Sequence, residues 1–69
     1  MSRGHGLRSS VVAELRRRRG MSQAALAAQV GIDRVSLARL EAGSTDPHLS
    51  TARALAQSLG VALSEIVDD

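Results

Sequence analysis

Apolar residues recur along this chain at intervals of three and four. Leu26 and Val30 lie four apart, and Leu37 and Leu40 three apart. Ala52, Leu55, Ala56 and Leu59 keep the same spacing, and Leu63, Ile66 and Val67 close the sequence. That period belongs to a helix with one apolar stripe, and no stretch alternates as a half-buried strand would. Upstream, Val12 and Leu15 give a first helix its inward face, with Leu7 or Val11 at its edge. This helix is predicted to start near residues 7–10 and to end at Arg19, with Gly20 as its stop. Further helices are predicted over 23–30, 34–42 and 49–59, with a short last one over 63–67. Local punctuation agrees: Ser22 and Asp33 are N-caps for the second and third helices. Gly31, Gly43 and Gly60 stand where helices end, and Gly43 to Pro47 has the composition of a turn. The expected fold class is all-α, five helices in one bundle. Its core is expected to contain Leu15, Leu26, Val30, Ile32, Leu37, Leu40, Leu55, Leu59 and Leu63.

The segment 22–43 holds the chemistry. Two short helices joined at Gly31, with small Ala27 allowing a close crossing, form the pattern of a helix-turn-helix, whose second helix enters the DNA major groove. At roughly 100° per residue, Leu37, Leu40 and Glu41 share one arc of that second helix, and Arg34, Val35, Ala38 and Arg39 the opposite one. A guanidinium suits bidentate contact with guanine, and Val35 and Ala38 suit thymine methyl groups. For Val35 the alternative is partial burial at the edge between the two helices. Ser36 either bonds a phosphate or only sits near the helix start.

Length and charge narrow the class. Sixty-nine residues make one small domain, here without cysteine or aromatic residues, so its core must be Leu, Val, Ile and Ala. The formal net charge is only +2, but it is unevenly spread. Residues 1–39 hold eight arginines against Glu14 and Asp33, a balance of +6; residues 40–69 hold Arg53 against five carboxylates, a balance of −4. A basic half is an electrostatic footprint for a polyanion. Residues 1–6, with two glycines, read as a flexible N-terminal arm, and 7–69 as the domain. No run approaches the roughly 18 apolar residues of a membrane span, and the N-terminus does not look like a signal peptide, so a cytoplasmic location is expected.

From Leu7 to Val67 the sequence resembles the lambda-repressor/Cro-type (XRE-like) helix-turn-helix family. The matching residues are Leu15-Arg16, Gly20-Met21-Ser22-Gln23, Leu26-Ala27, Val30-Gly31-Ile32, Leu37, Leu40-Glu41-Ala42-Gly43, Pro47, Leu49, Ala56, Leu59-Gly60-Val61 and Leu63. The resemblance implies a compact five-helix, lambda-repressor-like DNA-binding domain that acts as a homodimer on palindromic duplex DNA. It implies a structural pairing of Arg16 with Glu41 between the first and third helices, and DNA contact by Gln23. Ser22 and Gln23 open the second helix, whose free N–H groups also favour a phosphate. The family's loop after Gly43 often carries basic residues; Asp46 here implies fewer phosphate contacts.

The run Arg16 to Arg19 points in four directions around a helix. Arg17, Arg18 and Arg19 are either a solvated helix end, favoured by the helix dipole, or phosphate contacts beside the groove, with Arg18 and Arg19 the candidate DNA contacts. His5 and His48 have no second ligand at metal spacing, and no catalytic constellation is present. No metal, cofactor or enzymatic activity is expected. His48 is expected either to help start the fourth helix or to face the DNA backbone. Arg3 and Arg8 either follow the minor groove as an arm or belong to a disordered one. The leading expectation is a sequence-specific transcriptional regulator, a repressor or a restriction–modification controller. The alternative is a protein-interaction module, such as an antitoxin binding a toxin partner; a bare helical domain is disfavoured by the charge split. Val61, Leu63, Ile66 and Val67 exceed what a short last helix can bury, which places the expected dimer seam in the C-terminal part.

Overall fold

The computed structural model describes residues 6–68. Four α-helices follow one another: α1 Ser9–Arg18, α2 Gln23–Val30, α3 Arg34–Ala42 and α4 Leu49–Leu59. Their ends follow local chemistry. Ser22 Oγ accepts the Ala25 amide at 3.0 Å and Asp33 Oδ1 the Ser36 amide at 2.7 Å, so one orphan donor is satisfied at the start of α2 and one at the start of α3. Between α2 and α3, Gly31 takes a left-handed conformation at φ 88° while its amide bonds the Ala27 carbonyl. A side chain there would be strained, and the turn that sets α3 across α2 depends on its absence. Ser22→Ala should cost about 0.5–2 kcal/mol in a denaturant titration, because the Ala25 amide then loses its partner.

The expected fifth helix is instead a single 3₁₀ turn, Leu63–Glu65. The residues that would have extended it are used elsewhere. Ile66 enters the core, and Val67 forms an antiparallel bridge with Leu7. Arg8 donates its amide to the Ile66 carbonyl at 2.7 Å, and Asp68 donates its own to the Gly6 carbonyl at 2.9 Å. An exposed Arg8–Asp68 ion pair at 2.7 Å lies over the bridge. Gly6, the last residue of the expected arm, is therefore bonded. The remainder, residues 1–5 with Arg3 and His5, lies outside the described residues.

α3 packs on α1 and α2, and α4 packs on α2 and the 3₁₀ turn. The core is formed by Val12, Leu26, Ala27, Leu37, Leu40, Leu55, Ala56, Leu59 and Ile66. Leu15, Val30, Ile32 and Leu63, expected inside, are half-buried against this cluster. Ile66 is fully buried within one domain, so it is withdrawn from any seam, and the C-terminal apolar surplus shrinks to half-buried Val61, Leu63 and Val67. Elsewhere Leu49 stays 55% exposed beside an apolar groove of about 340 Å³ lined by Leu7, Pro47, Ala52 and Val67.

Candidate nucleic-acid interface

The outer face of α3 is held in place by its inner face. Leu37 is fully buried and Leu40 nearly so, which fixes the rotation of the helix. Arg34 and Arg39 consequently stand exposed, with Ala38 and Ser36 half-buried between them. Val35 is 50% exposed, so half of its surface faces solvent.

Behind this face runs a chain of hydrogen bonds. Arg16 Nε donates to Glu41 Oε2 at 2.7 Å and its Nη2 to Oε1 at 3.1 Å, while its Nη1 donates to the Met21 carbonyl at 2.8 Å. Gln23 Nε2 donates to the same Glu41 Oε1 at 3.0 Å. Its Oε1 accepts from Arg34 Nη1 at 3.4 Å. The side chains of Arg16 and Glu41 are only 11% and 6% exposed. The fork of the guanidinium thus meets the carboxylate in two bonds, the stronger geometry for such a pair. Arg16, Glu41, Gln23 and Arg34 link α1, α2 and α3 from the interior to the surface. Gln23 is half-buried, and both ends of its amide are engaged.

Burial raises the Glu41 pKa, but hydrogen bonds from Arg16 and Gln23 and the Arg16 charge outweigh it and leave the net value lowered. Asp33 is likewise lowered, first by the Ser36 amide and then by the Ser36 hydroxyl. A carboxylate whose folded pKa is depressed adds stability above its unfolded pKa and loses it as pH falls through the folded value. The melting temperature should therefore be flat from pH 7 to about pH 5 and fall in more acid solution. In Glu41→Gln the acid slope should be shallower than in the parent; equal slopes in circular-dichroism melts would remove Glu41 from the account.

The remaining candidates are engaged elsewhere. Arg18 Nε bonds Glu14 at 3.1 Å one turn back, in an exposed pair. Arg19 Nη1 bonds the Leu59 carbonyl at 3.1 Å, at the C-terminal end of α4. Ser22 Oγ is held by its cap. Asp46 turns toward the N-terminal segment, where its Oδ1 accepts the Leu7 amide at 3.4 Å. A groove of about 230 Å³ lies beside α3, with Ser36, Arg39, Thr45, His48 and Thr51 along it. Helical spacing does not point to Thr45 or Thr51; the only signal in the sequence is the Pro47 turn that brings their segments to α3.

Against known proteins, a model of the helix-turn-helix family HTH_3 matches residues 12–66. Among solved structures, the restriction-modification controller protein C.AhdI from Aeromonas hydrophila shares 32% identity over 83% of this chain and 86% of that protein, with a TM-score of 0.79. The P22 c2 repressor protein, solved in complex with a synthetic operator, shares 26% over 84% and 88%, with a TM-score of 0.81. A hypothetical transcription factor from Neisseria shares 32% over 84% and 71%, with a TM-score of 0.73. No curated protein sequence matches. Among the described residues no helix is long and apolar enough to cross a membrane.

Proposed function

The chain belongs to the HTH_3 helix-turn-helix family, and on that premise we propose that it regulates transcription in the cytoplasm by binding a specific duplex DNA site as a homodimer, with α3 in the major groove. The observation that carries this reading is the outward face of α3, where exposed Arg34, Val35 and Arg39 surround Ala38 on a helix fixed from behind. The operator-bound P22 c2 repressor supports it through the shared architecture. Gln23 stands at the start of α2 next to Arg34 and adds a contact at the groove edge. Ser22, whose hydroxyl serves the cap of α2, frames the contact more than it extends it, whereas Ser36 gives only its amide to a cap and keeps its hydroxyl for a phosphate. Arg18 reaches phosphate by giving up an exposed pair with Glu14, which is worth about 0.2–1 kcal/mol. Arg19 keeps further N–H groups besides the one on Leu59.

Gel-shift titration against a selected palindromic site, at several salt concentrations, tests the reading. Arg34→Ala should cost about 1–3 kcal/mol on that site and relax preference at one base position. Arg18→Ala and Arg19→Ala should weaken all sequences alike and flatten the salt dependence by about one unit for each phosphate no longer neutralised. If the Arg34→Ala/Arg39→Ala double variant binds as tightly as the parent, α3 is not the reading helix.

For the dimer, the apolar groove with Leu49 at its rim offers the seam, next to Val67 of the C-terminal segment. Pairing two copies sets their α3 helices about one DNA turn, roughly 34 Å, apart. Leu49→Asp should shift sedimentation to monomer and lower DNA affinity; a parent that stays monomeric at high micromolar concentration, with and without DNA, would exclude the dimer.

A further inference from the structure

The outward arc of α3 is short of acceptors: none of the side chains of Arg34, Val35, Ala38 and Arg39 carries one, and Gln23 and Glu41 behind it are engaged. Asp33 Oδ1, at the start of the helix, holds the Ser36 amide. Gln23 Oε1 takes Arg34, and Glu41 is nearly buried with its oxygens on Arg16 and Gln23. What faces outward is two guanidiniums, the isopropyl group of Val35 and the methyl group of Ala38, with the half-buried Ser36 hydroxyl at the edge of the face. A guanidinium donates five N–H groups and accepts nothing.

Residues four apart on a helix stand one above the other, so this face consists of two rows, Arg34 over Ala38 and Val35 over Arg39. Each row pairs a donor with an apolar group. In the major groove guanine offers two acceptors, and thymine an acceptor and a methyl group; cytosine offers an amino donor, and adenine one acceptor beside an amino donor. We infer that α3 reads keto bases, guanine and thymine, on the strand it faces, and leaves the amino groups of adenine and cytosine unread. The inference rests on the proposed seating of α3 in the major groove, and it names the class of half-site: guanine adjacent to thymine, repeated once along the helix.

The test begins with selection from a random duplex pool by the full chain, followed by base analogues in the enriched half-site. Replacing a contacted guanine with 7-deazaguanine should weaken parent binding and leave Arg34→Ala or Arg39→Ala, whichever faces that base, unaffected. Each of these arginine variants should itself bind roughly 5- to 150-fold more weakly than the parent. Deoxyuridine in place of a contacted thymine should cost about fourfold, the value of one buried methyl group, and should cost Val35→Ala nothing when that side chain is the partner. N6-methyladenine and N4-methylcytosine, which block the amino hydrogen pointing into the groove, should be tolerated on the contacted strand. A loss on amino methylation as large as the loss on 7-deazaguanine overturns the inference while leaving DNA binding in place. So do analogue effects that persist unchanged in all three variants. A pool in which no duplex is enriched overturns the DNA reading itself, and this inference with it.

Discussion

Arg16→Ala is expected to remove about 3–5 kcal/mol of stability, because it strands the Glu41 carboxylate in a site only 6% exposed. Three Arg16 donors disappear together, two on Glu41 and one on the Met21 carbonyl. Among the described side chains, Gln23 alone then remains bonded to that carboxylate. At roughly 0.05–0.15 kcal/mol per residue, a domain of this length has only about 3–10 kcal/mol in total, so the variant should be largely unfolded at moderate temperature. Arg18→Ala, which removes an exposed pair with Glu14, should barely move the melting temperature. Equal effects from the two substitutions would show that the buried geometry does not matter to stability. A second arm separates charge from packing. Arg16→Met with Glu41→Leu removes both charges together and should recover much of the loss, since an apolar pair of similar volume leaves no orphaned ion.

Leu37→Ala should cost about 2–5 kcal/mol, through lost transfer energy and the cavity left between α1, α2 and α3. The residue is fully buried and lies on the inward arc of α3, so its loss also releases the rotation that turns Arg34 and Arg39 outward. DNA affinity should therefore fall further than the folded fraction alone accounts for. Val35→Ala on the outward arc of the same helix should leave stability within about 0.5 kcal/mol, as surface changes generally do. A Leu37→Ala loss well below 1 kcal/mol in denaturant titration would show that this side chain does not hold the core.

The extents of α2, α3 and α4 are legible in the sequence because each is punctuated locally. Ser22, Asp33, Gly31, Gly43 and Gly60 act within one helical turn of themselves, so no distant partner need be known. The outward arc of α3 is legible for a similar reason, since Leu37 and Leu40 fix its phase. What escaped the sequence depends on residues far apart along the chain. The short fifth helix gave way to a bridge between Leu7 and Val67, and no periodicity announces a pairing over that separation. Ile66 read as surplus because its partners lie in other helices. The engagement of Arg19 with Leu59 and of Gln23 with Glu41 is equally non-local: side-chain type gives the capacity to bond, and only the packing of α1 and α2 against their neighbours chooses the partner.

The bridge that joins the two ends also sets how the domain yields to a pull. Gly6 and Asp68 lie at the same end of an antiparallel pair, so tension applied through the termini loads the Asp68-to-Gly6 bond first and the Arg8-to-Ile66 bond only after it has parted. Bonds strained one after another open at lower force than bonds sheared together. The next residue to be drawn outward is Ile66, a plug of the core. Mechanical opening should thus begin as peeling of the C-terminal segment from α4.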